Sequence, residues 1–210
     1  MSLVLTDSIE KKVTQDIKAL FVSQEGSHDW QHIVRVWNTA RKIHAVENRG
    51  SLLTIFLAAM LHDVADAKLK IRDEAWIQQY LEQLKLPTVL IEEVMFITQH
   101  ISFKKQKQQP TSGSINFQIV QDADRLDAIG AIGIARAFAY GGSVNAALYD
   151  ENHLDGNREE DNSTLDHFYA KLFRIEEKIN TPYGKVIARE RTLYMKQFVA
   201  QLKEECQPIN

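Results

Sequence analysis

Residues Leu52 to Leu61, LLTIFLAAML, form an almost unbroken apolar run that turns polar in one step at His62-Asp63. A run of this kind reads as a buried helix. A buried helix that ends in an imidazole and a carboxylate must give both groups partners, because unpaired polar groups in a dry core are costly. A cation is the most economical partner for a neutral histidine beside an ionised aspartate. Taken alone, the pair has a plainer alternative: a satisfied core histidine next to a helix-end aspartate.

The rest of the chain reads as helices around this one. Residues 6–22 carry Ile9, Val13, Ile17 and Leu20 on one stripe, with Thr6 or Asp7 as cap and Glu10 placed to return the bond. Gly26-Ser27 breaks that pattern, and Ser27, His28 and Asp29 are cap candidates for a second helix from Trp30 to Val46. Gly50 suits a left-handed turn before the apolar run. Residues 71–86 read as a surface helix, and Pro87 opens another whose apolar face is Leu90, Val94, Ile97 and Ile101, with His100 near its end. Residues 104–113 read as an exposed loop. From Ile115 to Tyr140 the helical pattern resumes, and residues 141–163 read as an irregular mobile loop near the site, suited to a lid. Two more helical stretches follow, Leu165 to Ile179 and about Lys185 to Glu205. No hairpin or alternating strand interrupts them. The expectation is a single all-α domain over residues 1–210, a bundle of roughly eight or nine helices.

Composition narrows the function classes. A net charge of −3 gives no global field for nucleic acid or a membrane surface. One cysteine, Cys206, excludes an internal disulfide framework and a cysteine-rich metal site, and fits a reducing compartment. The first twenty residues alternate apolar and charged side chains, unlike a signal peptide or anchor, and no apolar run is long enough to span a bilayer. The expectation is a cytoplasmic protein with no nucleic-acid or membrane partner.

Three helical segments carry polar groups where periodicity calls for core: His28 to Val36, then His62-Asp63 with Asp66 and Lys68, then Gln121 to Asp127. The last holds three carboxylates in six residues, which repel one another unless something positive sits among them. Together they offer imidazole nitrogens and carboxylate oxygens, a set suited to Mn, Fe, Co, Ni, Zn or Mg. The order His, His-Asp, Asp, carried by His32, His62-Asp63 and Asp124, resembles the signature of the HD-domain metal-dependent phosphohydrolases. The flanks HDWQHIVRV, LAAMLHDVAD and QDADRLDAIG resemble that family too, as does HFYAKLFRIEEKINTPYGKVIARER, so the likeness runs from about residue 20 to 200.

The resemblance implies a divalent metal held by His32, His62, Asp63 and Asp124, and hydrolysis of a phosphate ester or anhydride by metal-activated water. It points to a nucleotide-like substrate, of nucleoside triphosphate pyrophosphohydrolase or nucleotidase type. Asp66, one turn beyond His62-Asp63, is the candidate to orient or deprotonate the water. Lys68, His100 and Arg125 are candidates to offset charge on the phosphoryl oxygens, and His28 is a further substrate-side candidate that otherwise caps its helix. Asp122 is a cap candidate, and Asp127 a candidate to support a ligand histidine. A different class stays open: a non-catalytic metal- or nucleotide-binding regulatory module. The extra Asp66 argues against it, since a binder needs no water-activating acid.

Overall fold

The computed structural model describes residues 4–21, 29–66, 69, 71–101, 113–151, 154 and 163–206. Among the described residues there are nine α-helices, two short 3-10 turns and one isolated bridge, Ala147 to Ser163, but no strand. The fold is all-α, as the periodicity predicts. None of the described helices is long and apolar enough to cross a membrane. The chain divides into two units, residues 1–124 and 125–210.

The first unit holds α1 (Asp7–Leu20), α2 (Trp30–Glu47), α3 (Leu52–Leu61), α4 (Glu74–Gln83), α5 (Thr88–His100) and most of α6 (Ile115–Asp127). Side-chain oxygens of Thr6, Asp29, Ser51 and Asp73 accept backbone N–H bonds in the first turns of α1 to α4, satisfying donors that a helix start leaves open. The cap explains why α4 is shorter than the predicted 71–86. Asp73 captures the Trp76 N–H at 2.8 Å and fixes the start, and Lys85 at φ 55° leaves the helical region at the end. Both Asn48 (φ 51°) and Gly50 (φ 91°) take positive φ in the turn after α2, so the left-handed role expected of Gly50 is shared.

Helix α3 is the axis of this unit. Every residue from Leu53 to Leu61 is buried, with α1, α2 and α5 packed against it. Trp37 of α2 meets Phe56 edge to face, ring centres 5.0 Å apart. Phe56→Ala should therefore cost about 3–5 kcal/mol of unfolding free energy through lost burial and the cavity left behind. Chemical denaturation of the purified variant checks this, and a loss under about 1 kcal/mol would mean that α3 is not the core element described.

In the second unit lie α7 (Gly130–Ser143), α8 (Thr164–Ala170), the 3-10 turns Leu172–Arg174 and Glu176–Lys178, and α9 (Pro182–Cys206). Helices α7 and α8 pack together, and α9 packs along α7. Phe168 is ringed by Phe138, Phe173 and Phe198 at centroid distances of 6.0–6.3 Å. The pattern from Ile115 to Tyr140 is not one helix. It breaks at Ala128-Ile129, where Gly130 takes φ 80°. Two arginines close the end of α6. Arg191 donates to the Leu126 carbonyl, and Arg136 donates to the Asp127 carbonyl at 3.2 Å and its carboxylate at 2.9 Å. Cations at a helix C-terminus are favourable, and these offset the break.

Two further boundaries differ from expectation. Helix α7 continues through Gly141-Gly142 to Ser143, where a side chain on Gly141 would overlap Thr164 Oγ1. Beyond it, Thr164 and Leu165 N–H groups bond the Ala147 and Leu148 carbonyls at 2.9 and 3.0 Å, tying the two ends of the expected loop together. Residues 152–153 and 155–162 of that loop lie outside the described residues, as does nearly all of the expected loop 104–113. The predicted helix over 165–179 is α8 followed by the two 3-10 turns. Its start is fixed by a reciprocal cap, with Ser163 Oγ accepting from Asp166 N–H and Asp166 accepting from Ser163 N–H at 3.1 Å.

Candidate metal centre

Three helix segments of the first unit bring the candidate ligands to one point. His32 is the third residue of α2, and its backbone N–H is held by the Asp29 carboxylate at 2.8 Å, so the cap that starts the helix also fixes the ligand's position. His62 stands where α3 ends, and Asp63 follows in the turn. Bonds from Val64 N–H to Leu61 and from Asp66 N–H to Asp63, both 3.1 Å, wind that turn. Asp124 comes from the last stretch of α6 within the unit. His32, His62 and Asp63 are buried, and a quarter of the Asp124 side chain stays exposed, leaving one open side.

The His62 ring is oriented by its own helix. Nδ1 lies 2.8 Å from the Ala59 carbonyl. A carbonyl only accepts, so Nδ1 carries a proton and Nε2 is the nitrogen turned to the centre. That Nε2 is 3.2 Å from His32 Nε2. Two ring nitrogens at that distance need a proton or a cation between them. Asp63 reaches both rings, with Oδ2 3.4 Å from His32 Nε2 and Oδ1 3.4 Å from His62 Nε2. Asp124 Oδ1 lies 3.5 Å from His32 Nε2 and 3.8 Å from His62 Nε2.

Four of these five spacings suit a shared cation as they stand, and the 3.8 Å one is slightly wide. Bonds of roughly 2.0–2.2 Å at angles near 90–110° put donor atoms about 2.8–3.6 Å apart. His32, His62 and Asp124 each offer an atom within 4.8 Å of the others'. Burial alone would raise the Asp124 pKa, but its bond to His32 and the charges of His62 and His32 outweigh that and hold it below the usual carboxylate value. Asp63 pushes it the other way, as a second carboxylate must. With a depressed folded pKa, Asp124 contributes stability above its unfolded value of about 3.8, and this is lost as the pH falls through the folded value.

The remaining sequence candidates are spread more widely. Asp66 is half-buried, four residues past His62, in the turn whose N–H bonds Asp63. His100 ends α5, stacks on Phe96 at 4.4 Å and donates from Nδ1 to the Phe96 carbonyl at 2.8 Å. Arg125 donates from Nη1 to the Lys178 carbonyl within the second unit. Asp122 is no cap: it is fully buried in the middle of α6. Asp127 accepts from Arg136. His28 and Lys68 lie outside the described residues. No local pattern in the sequence marks one further feature, the polar cluster of Asn116, Glu93 and Ser51 at the opposite ends of α3 and α6 from the ligands.

The HD domain family model matches residues 29–129, which span all four clustered side chains. YpgQ of Bacillus subtilis is 34% identical over 200 residues, covering 92% of each chain. A crystal structure of a Bacillus thuringiensis HD-superfamily hydrolase matches with a TM-score of 0.78 and 34% identity, over 94% of this chain and 96% of that one. The structure of B. subtilis YpgQ in complex with ADP matches with a TM-score of 0.77 and 31% identity, over 93% of this chain and 94% of that one.

Proposed function

This chain belongs to the HD-domain superfamily, and on that premise we propose that it is a metal-dependent phosphohydrolase acting on a nucleotide-like phosphate ester or anhydride. The observation that carries this is the pair of imidazole nitrogens 3.2 Å apart, with two carboxylates around them. We read the whole chain as one functional domain, which the 92% coverage by YpgQ supports.

His32, His62, Asp63 and Asp124 would hold a divalent ion such as Mn, Mg, Co, Ni, Fe or Zn. Such an ion supplies Lewis acidity toward a phosphoryl oxygen and acidifies water. Asp66 accepts the proton of the attacking water and orients it. Lys68 and His28, which lie outside the described residues, and Arg125, whose guanidinium donates to the Lys178 carbonyl, are the proposed partners of the phosphoryl oxygens on the family resemblance. His100, whose Nδ1 donates to the Phe96 carbonyl, is the proposed contact of a phosphate oxygen through its other ring nitrogen. His100→Gln should raise KM with little change in kcat, and an unchanged KM would remove His100 from the site.

A nucleotide substrate is supported by the ADP complex of YpgQ. The test is a screen of nucleoside mono-, di- and triphosphates with each divalent metal, reading phosphate and pyrophosphate separately. Metal-dependent release from at least one nucleotide is expected, pyrophosphate marking a triphosphate pyrophosphohydrolase and phosphate a nucleotidase. Nucleotide binding without turnover under any metal would contradict the reading and leave a regulatory module.

A further inference from the structure

We propose that Asn116 is a positioning residue that sets the register of α6 against α3 and thereby places Asp124 opposite His62. This rests on the metal-centre reading above. Asn116 is the second residue of α6 and 93% buried (7% exposed). Its Oδ1 accepts from the backbone N–H of Ser51 at 2.7 Å, and Ser51 is the residue that caps α3. Its Nδ2 donates to Glu93 Oε1 of α5 at 2.9 Å, where Ser114 Oγ also donates at 2.6 Å. The amide orientation is unambiguous, because the backbone N–H can only donate and the carboxylate can only accept.

The placement matters because of what lies at the other end of each helix. Helix α3 begins at this junction and finishes at His62. Helix α6 begins here and reaches Asp124 eight residues later. Between the two ends α3 presents buried apolar side chains, whose contacts pack closely but add no directed bond. Asn116 adds directed bonds at the shared start of the two helices. A metal site accepts about 0.2 Å of error in ligand distance, so a small slip of α6 is felt at Asp124. The turn is shaped to leave room for the bond: a Cβ on Gly50 would overlap Asn116 Oδ1, and Gly50 already sits at φ 91°.

The test compares Asn116→Leu, Gly50→Ala and Glu93→Ala with Ile77→Ala. Ile77 is a fully buried residue of α4, so its variant loses stability with the Asn116 bonds intact. Mn²⁺ affinity is measured by titration calorimetry on the full chain, well below each variant's Tm. The expected result is affinity about tenfold weaker in Asn116→Leu and Gly50→Ala, and a smaller loss in Glu93→Ala. Ile77→Ala should stay within about twofold of wild type despite a lower Tm. If Asn116→Leu fails to fold, Gly50→Ala and Glu93→Ala decide. Unchanged Mn²⁺ affinity in the folded variants, with only Tm reduced, overturns the proposal and makes the cluster purely structural. A wild-type chain that binds none of Mn²⁺, Mg²⁺, Co²⁺, Ni²⁺, Fe²⁺ and Zn²⁺ overturns the metal reading itself, and this proposal with it.

Discussion

Asp63→Asn is expected to lose bound metal and turnover together while its helices stay intact. Asp63 offers a separate oxygen to each imidazole, 3.4 Å from His32 and 3.4 Å from His62. An amide keeps the shape but removes the negative charge and one ligating oxygen. In the metal-free protein Asp63 and Asp124 repel as like charges, and the amide relieves that repulsion while giving up the contacts of Asp63 to the two rings. Added metal should raise wild type by about 2.7 kcal/mol at a hundredfold excess over Kd, roughly 5–10 °C for a chain of this size, and leave the variant unmoved. Differential scanning calorimetry with and without metal reads both halves. A variant that still gained stability from metal would show that Asp63 is not a ligand.

Asp66→Asn should fail differently. If Asp66 takes the proton of the attacking water, its amide keeps the metal and loses about 10²–10⁴-fold in kcat, with little change in KM. It sits in the turn just after the ligands, with its N–H on the Asp63 carbonyl, so the substitution leaves the ligand-bearing backbone in place. Steady-state kinetics beside elemental analysis separates the possibilities. Near-normal turnover removes Asp66 from the mechanism, and loss of metal makes it a ligand or an essential support for one.

How much of this was legible in the sequence depends on whether the signal was local. His32, His62-Asp63 and Asp124 stand out because each interrupts an apolar helical pattern, and the structure brings all four side chains together. Helix identity was legible for the same reason, since 3.6-residue periodicity is written within each segment. Boundaries were not. The break at Ala128-Ile129 lies within an alanine-rich stretch that favours helix, and it is held by Arg191, whose bond to Leu126 spans 65 positions. Asn116 looks like any polar residue near a helix start. Its role appears only when Ser51, 65 positions away, and Glu93, 23 positions away, are brought beside it. Asp122, one of three neighbouring carboxylates, suggested a cap by composition alone, whereas its place in mid-helix turns it into the core.

The most direct measurement is the metal content of the purified wild-type chain and of His62→Ala after loading with Mn²⁺ and desalting. His62 turns its Nε2 to the centre because Ala59 holds its other nitrogen, so removing the ring takes away an oriented ligand without touching the backbone bonds of α3. Stoichiometric metal in wild type and none in His62→Ala, with unchanged far-ultraviolet circular dichroism, is the expected result. Stoichiometric metal retained by His62→Ala would contradict it, and so would a wild-type chain that holds no metal.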